Sequence, residues 1–164
     1  MDVKNEYNVS VISFKIMDSS GKQVYMLPIK DNDYSDVLCE CVVYLPNSFM
    51  TIFSNVDKVF FHLSTYEKLD FEHPLLYQET GILLKDIPSS GLLRLTFKMN
   101  FPTEWSRTHT DDGKIKLSFK PYKLVGYRFS VSDKDVQHLV SDADENEGVF
   151  FDTVIPSEVI NDGK

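Results

Sequence analysis

Residues 91–101 read GLLRLTFKMNF, and their alternation decides the fold class. Leu93, Leu95, Phe97 and Met99 fall on one side of an extended chain, with Leu92, Arg94, Thr96 and Lys98 on the other. A period of two is the mark of a strand with one face on a core and one face in water.

The same pattern recurs outward in both directions. Tyr7–Met17 alternates Val9, Val11 and Ser13 against Ser10, Ile12, Phe14 and Ile16. A turn signal at Asp18–Gly21 follows, and Val24–Ile29 resumes an extended run. Val37–Leu45, rich in Val, Cys and Tyr, predicts a buried strand that Pro46 breaks. Val56–Leu63 is the next strand and Leu75–Gln78 a short one. Lys114–Phe119 follows the Asp111-Asp112-Gly113 turn, and Leu124–Val131 and Val149–Ile155 close the set. Lys134–Val140 reads as two helical turns, with Val136, Leu139 and Val140 on one side. Roughly eight strands separated by turn signals, with no long helical period, predict an all-β antiparallel sandwich. The 164 residues suit one domain over 1–164.

Composition bounds the function. The chain is 42% hydrophobic and 26% charged, which argues against a wholly disordered protein. A net charge of −8 argues against gripping nucleic acid by charge and permits a basic partner. Met1–Val9 lacks the basic start and apolar run of a secretory signal, and no window suits a membrane span. The expectation is a cytoplasmic or nuclear protein that does not bind a membrane, with the Asn8-Val9-Ser10 sequon unused. Cys39 and Cys41 lie two apart, hence on one strand face. They read as reduced, packed thiols, since a disulfide at that spacing is strained and zinc needs a second pair.

Motifs for catalysis are missing. There is no Gly-x-Ser-x-Gly elbow, phosphate-cradling glycine loop or paired-His helix. His62, His73, His109 and His138 are scattered and read as structural. Asp142, Asp144 and Asn146 begin like a calcium loop, but Glu147 stands at the sixth position and Thr153 at the twelfth, so no metal is expected. Acid gathers at Asp31, Asp33 and Asp36 and again over residues 133–147. This reads first as solubility, and second as attraction for a lysine-rich chain. Phe49, Met50, Ile52 and Phe53 give Leu45–Phe53 the look of a partly buried segment, with a partner surface as the alternative.

Two short stretches carry a family likeness. Residues 57–66, DKVFFHLSTY, and 74–81, PLLYQETG, resemble the YEATS domain, a histone-tail reader on an immunoglobulin-like β-sandwich. That family has a Lys-Val-x-Phe-x-Leu-His strand, then Ser/Thr and Phe/Tyr, then Pro-Phe-x-x-x-Glu-x-Gly-Trp-Gly. Cys41–Leu63, Lys114–Tyr122 and Val149–Val154 are similar to flanking strands, so the likeness covers residues 37–155. It implies a nuclear, non-catalytic chromatin protein of transcription regulation that needs no cofactor. Its partners would be a histone tail carrying an acylated lysine and subunits of a histone acetyltransferase or remodelling complex.

In the family, the acyl group stacks between two aromatic rings while a hydroxyl binds its carbonyl. By resemblance, Tyr66 matches the first ring, Thr65 the hydroxyl and Gly81 the first glycine, while the family His corresponds to Ser64 or to a one-residue gap. Ile82 stands where the second ring belongs and Leu83 where the second glycine belongs. One wall of the slot is therefore aliphatic, and losing an aromatic contact costs roughly 0.5–1.5 kcal/mol beyond area. Leu83 adds bulk where backbone should approach the ligand. Trp105 is a candidate replacement ring. The expectation is weakened or altered acyl-lysine reading, or a β-sandwich interaction adaptor with no slot at all.

Overall fold

The computed structural model describes residues 5–30, 35–67, 76–101, 106–109, 115–118, 124–135 and 148–160. They form eleven strands: β1 Ser10–Met17, β2 Gln23–Val24, β3 Leu27–Lys30, β4 Ser35–Tyr44, β5 Lys58–Glu67, β6 Leu76–Leu83, β7 Leu92–Phe101, β8 Ser106–His109, β9 Ile115–Ser118, β10 Leu124–Ser132 and β11 Val149–Ile160. One helix, α1 Asn47–Ile52, and a 3-10 turn at Leu84–Asp86 complete the elements. A four-stranded sheet runs β2-β1-β4-β7, and a five-stranded sheet runs β3-β11-β10-β5-β6. The expected all-β sandwich is observed. The pairing is antiparallel except at one edge, where β3 joins β11 in parallel. A separate two-stranded sheet pairs β8 with β9.

The core follows the alternation. β4 contributes Val37, Cys39, Cys41 and Val43, which pair across with Met99, Phe97, Leu95 and Leu93 of β7, all buried. From the other sheet, Val59, Phe61 and Leu63 of β5 and Val125, Tyr127, Phe129 and Val131 of β10 face them. Phe129 lies within ring contact of Phe14, Phe97, Phe150 and Phe151, at centroid distances of 5.6 to 6.3 Å. Removing such a ring costs about 3–5 kcal/mol, because neighbours collapse only partly into the void.

Three departures from the sequence pattern have local causes. In β1, Val11 pairs with Val43 and Ser13 with Val42, leaving Ile12 as an extra residue. The bulge shifts the phase by one, so Val9 and Val11 before it and Phe14 and Ile16 after it all turn toward the core. Ile12 is left 59% exposed. The Val24–Ile29 run does not stay in one sheet: Val24 belongs to β2, and Leu27, fully buried, begins β3 in the other sheet. The chain crosses between the sheets at Tyr25 and Met26. The short strand expected at Leu75–Gln78 instead runs to Leu83, because it finds a continuous partner in β5.

The Leu45–Phe53 segment is largely core. Pro46 precedes α1, where its fixed φ suits a helix start. The helix buries Phe49, whose ring meets Tyr7, Phe53 and Phe61. Only Ile52 of the four apolar residues is exposed. The helical turns expected over Lys134–Val140 and the Asp142–Asn146 run lie outside the described residues beyond Asp135, as does Trp105.

Candidate functional site

The β5–β6 ladder decides where the six residues singled out by resemblance go. Thr65 pairs with Leu76 and Ser64 with Tyr77, whereas Gly81 pairs with Phe60, Ile82 with Val59 and Leu83 with Lys58. The two halves therefore sit at opposite ends of one hairpin. Gly81 lies opposite Phe60, six positions from Tyr66, a separation of about 20 Å at strand rise. Ser64, Thr65 and Tyr66 belong to a strand and not to a loop, since β10 pairs with them on the far side. Thr65 shares the inward face with Phe61 and Leu63 and is fully buried, and Tyr66 is 8% exposed. Ile82 packs against the core and Leu83 is exposed. A Cβ at Gly81 would meet the far, flexible end of the exposed Lys58 side chain, which can swing aside, so packing does not demand glycine there. The Lys58 ammonium lies 5.4 Å from the Phe60 ring centre, over its face.

Polar chemistry instead gathers on the outward face of the five-stranded sheet. Cross-strand register aligns Tyr77, Ser64, Arg128 and Asp152 in one row over β6, β5, β10 and β11. The adjoining row holds Glu79, His62 and Ser130. Arg128, 7% exposed, donates from Nε to Oδ1 of Asp152 at 2.8 Å and from Nη2 to Oδ2 at 3.0 Å. This two-point fit satisfies a charge that burial alone would make costly.

His62 is 2% exposed and engaged at both ring nitrogens. Its Nε2 lies 3.2 Å from the Lys134 carbonyl, which can only accept, so the proton is on Nε2. Nδ1 then accepts from the Tyr77 hydroxyl. The Glu79 carboxylate is 3.6 Å from the same nitrogen. Burial lowers the imidazole pKa to about 4, against the opposing pull of the Lys134 carbonyl and the Asp135 charge. A buried, neutral ring with both nitrogens committed ties the end of β10 to β5 and is poorly placed to relay protons.

Cys39 and Cys41 are free thiols, both buried, on the one face expected. Burial pushes each up to about 12. Tyr127 places its hydroxyl beside the Cys39 thiol, and burial raises that phenol well above its ordinary range. Among the described residues, no group of three or more His, Cys, Asp or Glu is arranged to hold a metal. No helix among them is long and apolar enough to cross a membrane.

A cavity of about 580 Å³ opens at one end of the sandwich. The β1–β2 turn supplies Asp18, the start of β4 Asp36, the end of β7 Lys98, Met99 and Asn100, and β6 Gln78. No motif marks these residues in the sequence, because they come together from four separate strands and turns. The Arg128–Asp152 pair was equally unmarked, being 24 residues apart.

No family of known proteins and no curated protein matches the sequence. Among solved structures, the chain is similar to β-glucosidase from Listeria innocua, with TM-score 0.38 and 11% identity, covering 90% of this chain and 16% of that one. The same enzyme in complex with glucose gives TM-score 0.35 at 10% identity, again over 90% of this chain and 16% of that one. The chain thus spans about a sixth of the length of the proteins it matches.

Proposed function

We propose that this chain is a non-catalytic β-sandwich module that docks a protein partner. The observation that carries this reading is a strip of large apolar side chains on the outward face of the four-stranded sheet. Leu92 and Tyr44 pair across β7 and β4, are 47% and 41% exposed, and stand beside half-buried Val42. Ile12, on the β1 bulge opposite the Val42–Val43 step, is 59% exposed. Scattered surface apolar residues are ordinary, but three in neighbouring rows of one sheet face mark an interaction surface. Charged residues border the strip: Glu40 holds Lys15 at 3.3 Å and lies 3.9 Å from Arg94. An apolar centre with a charged rim is the usual anatomy of a protein interface.

The alternative is the acyl-lysine reader of a histone tail. The placement of Thr65, Tyr66 and Gly81 weighs against it, since burial and the 20 Å separation along the ladder leave the residues no common slot. The test pairs two measurements. Partners captured with the wild-type chain should be lost with the Ile12→Ser, Tyr44→Ser, Leu92→Ser triple variant, which changes only exposed positions. Acetylated, crotonylated and unmodified histone peptides should bind alike and weakly. A preference for the acylated peptides, undiminished in the triple variant, overturns the adaptor reading in favour of the reader.

A further inference from the structure

We infer that the outer edge of β7 accepts an extended acidic segment of the protein partner as an added strand, which rests on the adaptor reading and names how that partner pairs.

The backbone supplies the first observation. β7 is ten residues long and ends the four-stranded sheet, with β4 on one side and, among the described residues, no strand on the other. Its register with β4 runs unbroken from Ser35–Phe101 to Tyr44–Leu92. One step beyond, the Leu45 N–H donates to the Gly91 carbonyl at 2.7 Å. The Gly91 carbonyl therefore points toward β4, and across the same planar peptide the Leu92 N–H points away. That N–H donates instead to the Ser90 hydroxyl, at 3.3 Å. In an antiparallel ladder these directions repeat every second residue. Leu93, Leu95, Phe97 and Met99 thus direct their backbone groups to β4. Leu92, Arg94, Thr96, Lys98 and Asn100 direct theirs to the outer edge. The same five residues carry the exposed side chains of β7. Backbone donors, backbone acceptors and solvent-facing side chains therefore run along one accessible line.

Charge decides the occupant. β7 contains Arg94 and Lys98 and no acid, in a chain of net charge −8. The Arg94 side chain is 70% exposed, and Glu40, 3.9 Å from it, is held more closely by Lys15 at 3.3 Å. A second copy of β7 pairing antiparallel about Thr96 would set Arg94 opposite Lys98 twice, and like charges directly opposite destabilise a ladder. Cations on an edge bar such self-pairing. An acidic strand meets the opposite situation. Its residues facing Arg94 and Lys98 lie four positions apart on one face, so an acid at each finds one cation. A further residue opposite Leu92 meets an apolar side chain at the margin of the Tyr44–Leu92 strip. Main-chain bonds give affinity in this mode and alternate side chains give selectivity.

The test uses the full chain and an end-blocked peptide, Ser-Val-Glu-Val-Thr-Val-Glu-Val-Leu, read by fluorescence anisotropy. The peptide should bind. Its form with Lys for both Glu, and its form with an N-methyl group on the central Thr, should each bind about tenfold more weakly. Arg94→Glu with Lys98→Glu should reverse the preference to the Lys peptide. Both residues are exposed, so circular dichroism should show an unchanged fold. In hydrogen exchange, the amides of Arg94, Thr96 and Lys98 should gain protection on binding, while those of Leu93 and Leu95 stay as they were. Equal binding of the Glu and Lys peptides overturns the proposal. So does no binding at millimolar concentration, or full binding of the N-methyl peptide. Partner capture lost with the Ile12→Ser, Tyr44→Ser, Leu92→Ser variant but kept by Arg94→Glu, Lys98→Glu overturns strand addition and leaves the adaptor reading standing. Capture kept by the triple variant overturns the adaptor reading itself.

Discussion

The Arg128 guanidinium faces the Asp152 carboxylate through two hydrogen bonds, 2.8 and 3.0 Å long, on the outward face of the five-stranded sheet. Both groups are largely shielded from water, at 7% and 15% side-chain exposure. Removing Asp152 takes this two-point carboxylate partner from a buried guanidinium, and breaking a buried pair in this way costs about 3–5 kcal/mol. Asp152→Ala should lower unfolding free energy by that order in urea titration. The double variant Arg128→Met, Asp152→Leu should recover much of the loss, because no stranded charge remains. Equal losses in the single and double variants would show that the pair matters only as packing.

His62 predicts the direction of the pH dependence. Its pKa is lowered to about 4 in the folded protein, against 6.5 for an unperturbed histidine. The unfolded chain therefore binds more protons between these values, and stability rises with pH across that window. The contribution is complete above pH 6.5 and lost as pH falls toward 4, on the order of 3 kcal/mol in all. Urea midpoints from pH 7.5 to 4.5 should fall in the wild type, with a shallower slope in His62→Gln.

The two thiols should be silent in the native protein. Burial holds Cys39 and Cys41 at about 12. Only the thiolate reacts, and solvent does not reach either sulfur. Ellman's reagent at pH 8 should titrate neither group in the folded chain and both in 6 M guanidinium. Rapid reaction without denaturant would contradict this packing.

The β1 bulge separates side-chain chemistry from backbone register. Ile12→Ser should change stability by no more than about 0.5 kcal/mol, because the side chain is largely in water. Deleting Ile12 should cost several kcal/mol. Without the extra residue, buried Val9 and half-buried Val11 would turn outward, and full burial of one valine is worth roughly 1.5–3 kcal/mol. Thermal or urea unfolding of both variants tests the contrast.

Where the sequence was legible, a face was legible. β7 and β4 read correctly because one side of each strand is core and the other water, so alternation records the burial directly. Cys39 and Cys41 read correctly for the same reason. The strand read as Val56–Leu63 stops short of Ser64 and Thr65, because the apolar run ends at Leu63. In the structure β6 and β10 flank them on both sides, so the strand continues. The phase slip at Ile12 also escaped, because a bulge exists only relative to a partner strand.

The sequence by itself determined an all-β sandwich with an alternating core, since period two is a property of the chain and its burial pattern. Tertiary structure alone decided which polar groups meet. Tyr66 and Gly81 are 15 residues apart and lie at opposite ends of one hairpin. Arg128 and Asp152 are 24 apart and form a buried pair. Hydrogen-bond register sets these separations, and register depends on which strands become neighbours.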